Sequence, residues 1–248
     1  MGYTTILLDA DGTLLDFEAA QREAFFAAMR RMKVPAGEEM LARYDRINHM
    51  QWKRLERGEV TREAMLAERY ALLFAECGLE RDPQAANRAY GDALAESAPL
   101  LSGARELLEA LSPVAYLAII TNGVPRSQHR RFTLSGIDRY VRQVLISGEV
   151  GCEKPDPRFF RAALERCGAP DPREVLVVGD SLSADIAGAA AAGLDSCWFN
   201  PKKVPLPAGL MPTYLASDLR EVAALVYRSQ QRSLPFDSAE ARKLSCQA

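Results

Sequence analysis

Two aspartates, Asp9 and Asp11, follow the apolar run Thr4–Leu8 with a single alanine between them. In an extended segment residues i and i+2 point the same way, so both carboxylates can face one small site. Carboxylates this close repel each other, and a cation or a proton must relieve their charge. Gly12 lets the chain turn sharply behind the pair. The segment therefore predicts a small anionic site at the end of a strand.

Polar residues also follow three later strand-like runs. They are Thr121, Asn122 and Gly123 after the second run, Lys154 after the third, and Gly179, Asp180, Ser181 and Asp185 after the fourth. Ligands of open parallel sheets bind beyond the carboxyl ends of the strands, so these groups are expected to converge on Asp9 and Asp11. Mg²⁺ suits such a site because it takes oxygen ligands and is commonly held by one or two carboxylates and a substrate phosphate. The threonine hydroxyl, backbone N–H groups at a strand-to-helix turn and the lysine would bind the phosphate oxygens.

The strands that must position these groups are short apolar runs bounded by turn residues. They are Thr4–Leu8, Val114–Ile120, Gln143–Ser147, Glu174–Val178, Asp195–Phe199 and Thr213–Ala216. The runs are apolar on both faces, as in a parallel sheet covered by helices. Helical patterns lie between the later runs, at Gly103–Leu111, Arg126–Ser135, Arg158–Cys167 and Ala184–Ala192. The pair Asp156-Pro157 predicts a helix start after a loop over 148–155. The alternation predicts an α/β fold with a doubly wound parallel sheet.

A helical insert interrupts this alternation, because the interval from about residue 17 to residue 97 contains no strand-like run. Its helical segments are Glu18–Lys33, Glu38–Arg57, Arg62–Cys77 and Pro83–Glu96, separated by glycine and proline. We therefore predict a catalytic core over 1–16 and 98–228 and an inserted all-helical domain over 17–97. Residues 229–248 lose the periodicity and are predicted to form a C-terminal tail.

Composition argues against several classes of function. The 248 residues are 48% hydrophobic and 26% charged, with 31 basic and 33 acidic residues and a net charge of −2. Nucleic acids and anionic membranes attract clustered Lys and Arg, so neither is expected as a partner. The run Val114–Ile120 is too short to span a bilayer and the N-terminus lacks a signal-peptide pattern, which favours the cytoplasm. Two histidines are a poor basis for a Ser-His-Asp or histidine-rich metal site, and five cysteines without CxxC spacing predict reduced thiols.

Four motifs in this order resemble those of the haloacid dehalogenase-like hydrolase superfamily. They are Asp9-Ala10-Asp11-Gly12-Thr13, Ile119-Ile120-Thr121-Asn122-Gly123, Lys154-Pro155-Asp156, and Gly179-Asp180 followed by Asp185. One such motif is moderately specific, whereas the ordered set is a strong signal. The resemblance covers the chain from Thr4 to about Arg228. It implies a Rossmann-like core, and it implies that the helical insert is a cap domain.

The resemblance also implies a role for each motif residue. Asp9 would attack phosphorus to give an aspartyl-phosphate, and Asp11 would protonate the leaving alcohol and then activate water. The Asp9 carboxylate, the Asp11 main-chain carbonyl and Asp180 would hold Mg²⁺. The phosphoryl oxygens would be bound by Thr121 and Lys154, together with Asn122 and Gly123. Asp185 would orient Lys154 or a water on the metal.

Asp11 favours phosphate esters within this superfamily, because a dehalogenase needs no second acid and a phosphonate hydrolase replaces it with a small residue. The stretches 9–17 (DADGTLLDF), 147–151 (SGEVG) and 197–200 (CWFN) resemble the pyrimidine 5′-nucleotidase branch, whose members remove phosphate from dUMP, UMP or dTMP. Cap residues should then contact the base. Asn48, His49 and Trp52 offer amide groups and a stacking face, and the alternative for them is packing within the cap.

Other functions stay open at this point. The motifs also fit a phosphatase or mutase for another small metabolite, such as phosphoglycolate or a sugar phosphate. A phosphoacceptor switch similar to a bacterial receiver domain likewise uses aspartate, threonine and Lys-Pro on a doubly wound sheet. Its acceptor follows the third strand, however, and a switch has no need of a cap. The oligomeric state is also open.

Overall fold

The computed structural model describes residues 2–231 of the chain. Its strands are β1 (Thr5–Leu8), β2 (Tyr116–Thr121), β3 (Gln143–Ile146), β4 (Val175–Gly179), β5 (Asp195–Phe199) and β6 (Tyr214–Ala216). They form one sheet in the order β3-β2-β1-β4-β5-β6, and each neighbouring pair is parallel. The doubly wound parallel sheet predicted from the apolar runs is confirmed.

The sheet is buried on both faces, as the uniformly apolar strands require. Along β1, Ile6 and Leu8 belong to one hydrophobic cluster and Leu7 to another, and all three side chains are fully buried. Alternate residues of a strand point to opposite faces, so the two clusters are the two covered faces of the sheet. Full burial of such a side chain contributes about 1.5–3 kcal/mol relative to exposure, which holds the strand ends firmly in place.

Helices cover the sheet and form the insert. They are α1 (Phe17–Arg31), α2 (Glu38–Glu56), α3 (Arg62–Glu76), α4 (Pro83–Ala95), α5 (Ala104–Leu111), α6 (Pro125–Ser135), α7 (Ser147–Val150), α8 (Pro157–Arg166), α9 (Ala187–Ala191) and α10 (Leu219–Gln231). Helix α8 begins at Pro157, and the Asp156 side chain accepts a hydrogen bond from the Arg158 N–H, as its capping sequence predicts.

Two local predictions were wrong. The segment 148–155 is not entirely loop, because α7 makes one helical turn that ends at Gly151 with φ of +86°, a conformation that favours glycine. The helix predicted over Ala184–Ala192 is two pieces, a π-helical turn over Leu182–Ile186 followed by α9. Short-range periodicity does not distinguish such a wide turn from an α-helix, and π turns occur frequently at functional sites.

The helical insert has a hydrophobic core of its own. Helices α1–α4, together with Val34 between α1 and α2, form a separate buried cluster that includes Phe25, Tyr44, Tyr70 and Tyr90. The two connections to the sheet run side by side, and the Asp16 N–H donates to the Pro99 carbonyl at 2.9 Å. The inserted all-helical cap is therefore confirmed, while the exact borders at residues 17 and 97 stay a prediction.

The C-terminal helix extends further than the sequence pattern indicates. Helix α10 continues through Ser229 and Gln230 to Gln231, which fall within the predicted tail, and the Gln230 side chain donates to the Tyr3 carbonyl at 2.8 Å. The rest of the predicted tail, 232–248, lies outside the described residues. Within 2–231 no helix is long and apolar enough to cross a membrane. Of the five cysteines, the four that the structure describes are free.

Candidate active site

The carboxyl ends of β1, β2 and β4 open into a cavity of about 1340 Å³ between the sheet and the helical cap. All the site residues predicted from the sequence line it: Asp9, Asp11, Thr121, Asn122, Gly123, Lys154, Asp180, Asp185, Asn48, His49 and Trp52. Neighbouring parallel strands deliver their C-terminal residues to one edge of the sheet, which brings together residues far apart in sequence.

Lys154 lies at the centre of the buried charges. Its Nζ donates to Asp9 Oδ1 and to Asp185 Oδ1, each at 2.6 Å, and to the Ile120 carbonyl at 3.0 Å. Burial opposes its charge, but the carboxylates of Asp185 and Asp9 outweigh burial and raise the pKa of Lys154. The lysine therefore stays charged beside Asp9.

Asp185 holds this lysine in position. Its side chain is fully buried, and its second oxygen, Oδ2, accepts the Ser181 N–H at 3.1 Å. A Cβ at Gly179 would lie 2.2 Å from that oxygen, so only glycine at the end of β4 permits this approach. The contact is the one that the predicted orienting role requires.

Three carboxylates form an anionic cluster. Oxygens of Asp9, Asp180 and Asp185 all lie within 4.8 Å of one another. Burial, followed by repulsion from Asp185, raises the pKa of Asp180 to about 7, and burial raises the pKa of Asp9 well above its usual range. Both oxygens of Asp185 already accept hydrogen bonds, whereas Asp9 and Asp180 keep oxygens for another ligand. This donor set of acidic oxygens fits a hard divalent cation such as Mg²⁺.

Gly12 allows Asp180 to approach the first motif. Its φ is +88°, and a Cβ there would lie 2.6 Å from Asp180 Oδ2. The Thr13 hydroxyl accepts the Asp180 backbone N–H at 3.1 Å and so ties the end of β4 to the turn after β1. The turn residues of the motif thus serve the packing of two strand ends.

The Asp11 carboxylate lies outside this group of three and is held by helix α6. Its Oδ1 accepts from Arg131 Nη1 at 2.6 Å, and its Oδ2 accepts from Gln128 Nε2 at 2.7 Å. Arg131 is 1% exposed and also donates to the Ser97 carbonyl. Sequence reasoning missed both partners. Their i, i+3 spacing on the helix after the second motif was the available signal, because it places them on one face.

Thr121 and Asn122 serve the site in different ways. The Thr121 hydroxyl oxygen accepts from the Gly123 N–H at 3.0 Å and from Gln128 Nε2 at 2.9 Å, which leaves its own hydrogen to donate to a phosphate oxygen. The Asn122 side chain instead makes two hydrogen bonds with the Lys154 backbone, at 2.7 and 2.9 Å. In this arrangement the side chain of Asn122 positions Lys154, and the Gly123 N–H is already engaged.

The cap reaches the site through Arg62 at the start of α3. Its guanidinium donates to the Asn122 carbonyl at 3.0 Å, to the Gly123 carbonyl at 3.2 Å and to the Ser147 hydroxyl at 2.5 Å. It also lies 3.2 Å from a carboxylate oxygen of Glu153. Nothing local in the sequence singles out this arginine, because all its partners lie far away along the chain.

The predicted cap residues occupy different environments. Asn48 is buried and bonded on both sides, with its Nδ2 donating to Gln21 Oε1 at 2.8 Å and its Oδ1 accepting from Arg69 at 3.1 Å. Trp52 is half-buried and His49 is exposed on the cavity wall. The cap therefore contributes a fixed amide and two ring side chains to the cavity.

Comparisons with known proteins identify the family. Residues 3–193 match the model for the haloacid dehalogenase-like hydrolases. The HAD-hydrolase YfnB of Bacillus subtilis is 35% identical over 220 residues, covering 89% of this chain and 94% of that protein. The pyrimidine 5′-nucleotidases PynA of Streptococcus pneumoniae and YjjG of Escherichia coli are each 34% identical, over 86% and 91% of this chain and 91% and 99% of their own. The chain belongs to the haloacid dehalogenase-like hydrolase family, and it is a phosphatase of that family.

Solved structures agree with this assignment. The crystal structure of YfnB bound to magnesium matches with a TM-score of 0.87 at 34% identity, covering 91% of this chain and 99% of that chain. An L-2-haloacid dehalogenase of Xanthobacter autotrophicus matches with a TM-score of 0.71 at 20% identity. The second likeness shows the fold alone. The predicted combination of a Rossmann-like core and a helical cap is thus confirmed.

Proposed function

We propose that this protein is a Mg²⁺-dependent phosphomonoesterase that releases phosphate from pyrimidine nucleoside monophosphates through an aspartyl-phosphate. The observation that carries the proposal is the buried contact of Lys154 with Asp9 at 2.6 Å, which places a fixed positive charge against the candidate nucleophile. Phosphoryl transfer depends on such positioning and electrostatic stabilisation.

In the first step a carboxylate oxygen of Asp9 attacks phosphorus, the P–O bond to the alcohol breaks, and Asp11 protonates the leaving oxygen. In the second step water attacks the aspartyl-phosphate, Asp11 accepts its proton, and inorganic phosphate leaves. Lys154 and the Thr121 hydroxyl bind phosphoryl oxygens in both steps. The second step thus returns a proton to Asp11 and frees the Asp9 carboxylate, so both groups are ready for the next substrate.

The hydrogen bonds of Asp11 leave room for this role. Each of its oxygens accepts one hydrogen bond, Oδ1 from Arg131 and Oδ2 from Gln128, and a carboxyl oxygen has two lone pairs. The second lone pair of either oxygen can therefore hold the proton that passes to the leaving alcohol. Arg131 and Gln128 hold the carboxyl group in place at the cavity wall.

The metal requirement rests on the anionic cluster. Carboxylates of Asp9 and Asp180, with the main-chain carbonyl of Asp11, would hold Mg²⁺, which screens the phosphate charge and orients the attack when bound. The raised pKa of Asp180, about 7, supports this because it marks a carboxylate that lacks a compensating charge.

The substrate class draws on the relatives and on the cavity. PynA and YjjG are pyrimidine 5′-nucleotidases, and both cover most of this chain. The cavity continues from the strand ends to the cap, where Trp52 lines its wall. An aromatic ring suits a nucleobase, because the base can stack on its face. Asn48 lines the same wall, but its amide is already bonded to Gln21 and Arg69. We propose residues 17–97 as the domain that selects the substrate.

The test is a substrate panel with Mg²⁺ present. The panel compares dUMP, UMP and dTMP with purine monophosphates, phosphoglycolate, hexose phosphates and p-nitrophenyl phosphate. We expect the highest kcat/KM for one of the three pyrimidine nucleotides. A sugar phosphate or phosphoglycolate as the best substrate would overturn the nucleotidase proposal. Release of a single equivalent of p-nitrophenol, without further turnover, would indicate a phosphoacceptor switch instead of an enzyme.

A further inference from the structure

The cap contains one buried arginine that fixes the direction of two amides. Arg69 of α3 is 5% exposed and donates through Nη1 to Asn48 Oδ1 at 3.1 Å. Its Nε and Nη2 both donate to Asn87 Oδ1, at 3.0 and 2.6 Å. A guanidinium has donors only, so each amide must turn its oxygen towards Arg69 and its NH₂ group away.

The two amides differ in what their NH₂ groups meet. That of Asn48 donates to Gln21, whose own amide nitrogen donates to Asp45 at 2.9 Å. The Asn87 Nδ2 has no hydrogen-bond partner among residues 2–231, and it is not among the fully buried unpartnered atoms. Asn87 lines the large cavity. Asn87 thus borders the cavity with a donor group that no described residue occupies and that is turned away from Arg69.

An aromatic shell keeps this arrangement rigid. The Arg69 guanidinium carbon lies 4.6 Å from the ring centre of Tyr90, 5.8 Å from that of Tyr70 and 5.9 Å from that of Tyr44. The hydroxyls of all three tyrosines are buried without a hydrogen-bond partner. Burial raises the pKa of each tyrosine, so the three rings stay neutral and Arg69 is the charged group among them. Cation–π contact and close packing leave the guanidinium little freedom to turn.

The position of Asn87 along α4 suits the far end of a nucleotide. Gly91, one helical turn of about 5.4 Å later, lies on the same face, and its carbonyl is 3.5 Å from the hydroxyl of Ser127 on α6. Helix α6 also carries Gln128, which contacts Thr121 at the phosphate end. Asn87 therefore lies one helical turn before the Gly91–Ser127 contact, on the side of the cap. In a pyrimidine ring C4 is opposite N1, so the 4-substituent is the ring group farthest from ribose and phosphate.

We propose that the Asn87 NH₂ group donates a hydrogen bond to the 4-oxo group of uracil or thymine. Asn87 then determines specificity, because the 4-amino group of cytosine would place a donor against a donor. Arg69 is the positioning residue, since it prevents the amide from turning its oxygen towards the substrate. This inference rests on the proposed nucleotidase function.

The experiment measures kcat/KM for UMP and CMP in the wild type, in Asn87→Asp and in the control Gln84→Glu. Gln84 is exposed on the same helix, and its substitution makes the same change from amide to carboxylate. We expect the wild type to prefer UMP by about tenfold or more, and Asn87→Asp to lower the UMP/CMP ratio by at least about tenfold, because an acceptor replaces the donor. The control should keep the wild-type ratio.

A second variant covers a folding failure of the first. Asn87→Ala removes the donor without adding charge, and it should lower kcat/KM for UMP while that for CMP stays the same or rises. A UMP/CMP ratio that is unchanged in the Asn87 variants, or a wild type that hydrolyses CMP as well as UMP, would overturn this inference alone. A wild type that hydrolyses no nucleoside monophosphate would instead overturn the proposed function.

Discussion

The strand ends and the cap wall treat charge in opposite ways. At the strand ends, Lys154 lies between two buried carboxylates, and the cluster still has an excess of negative charge. In the cap, Arg69 is buried among neutral amides and tyrosine rings and has no carboxylate partner among the described contacts. The sheet concentrates charge at its strand ends, and the cap fixes the direction of neutral hydrogen-bonding groups. Under the proposed function, this difference separates the chemistry of phosphoryl transfer from the selection of the substrate.

The largest effect should come from the nucleophile. Asp9→Asn keeps the shape of the side chain but removes the attacking anion, so we expect kcat to fall by at least about 10⁴-fold. Steady-state phosphate release checks this, with Asp138→Asn as the control because Asp138 is exposed and lies outside the cavity. Substantial remaining turnover in Asp9→Asn would refute the covalent mechanism at the strand ends.

Removal of divalent cations should abolish turnover reversibly and should expose the excess charge of the cluster. The pKa of Asp180, raised to about 7, means that the cation-free folded protein holds a proton which the unfolded chain has released above about pH 4. The cation-free protein therefore loses stability as pH rises from about 4 to 7.

The raised pKa of Asp180 also determines how metal binding depends on pH. Mg²⁺ must displace the proton at low pH and meets a free carboxylate at high pH, so the Mg²⁺-induced rise in Tm should be greater at pH 8 than at pH 5.5. Thermal unfolding with and without Mg²⁺ at both pH values measures it. An equal shift at the two values would contradict the assignment of Asp180 to the metal.

A smaller effect is expected at the residues that hold Asp11. Arg131→Met leaves Asp11 with the Gln128 contact alone, and we expect kcat to fall by about 10–100-fold with a changed pH profile, because the acid loses its fixed orientation. The control is Arg130→Met, which alters the exposed neighbouring arginine on the same helix. Loss of stability with an unchanged pH profile would mean that Arg131 has a packing role only.

The smallest of these effects concerns the contact between the two regions. Arg62→Met removes hydrogen bonds to Asn122, Gly123 and Ser147, and we expect it to lower the free energy of unfolding by about 1–3 kcal/mol. Arg57→Met, an exposed change of the same type, should stay within about 0.5 kcal/mol of the wild type. Urea unfolding compares the two, and equal values would show that Arg62 does not stabilise the contact of cap and core.

Local sequence patterns predicted the frame of the molecule well. Apolar runs located each strand within two residues, and the lack of such runs located the helical insert. Several site residues could be found because each lies at the end of a strand or within a short motif. They are Asp9, Thr121, Lys154 and Asp180. The parallel arrangement then requires these residues to meet at one edge of the sheet.

Helix faces could not be predicted in the same way. The sequence of α6 is polar and predicts a helix on the surface. Arg131 is nevertheless buried against Asp11, which lies 120 residues earlier in the chain. Arg130 beside it is exposed. Which of two adjacent arginines turns inward depends on what the opposite element offers as a partner.

The sequence by itself therefore determined the sheet, the presence of the cap and which polar side chains lie at the strand ends. Only the tertiary structure decided that Arg131 and Gln128 hold Asp11, that Arg62 joins cap to core, and that Arg69 turns the Asn87 donor away from itself at the cavity wall. The physical reason is range. Strand polarity and motif spacing act over a few residues, whereas burial of a charged or amide group is stable only where distant residues supply the matching donors and acceptors.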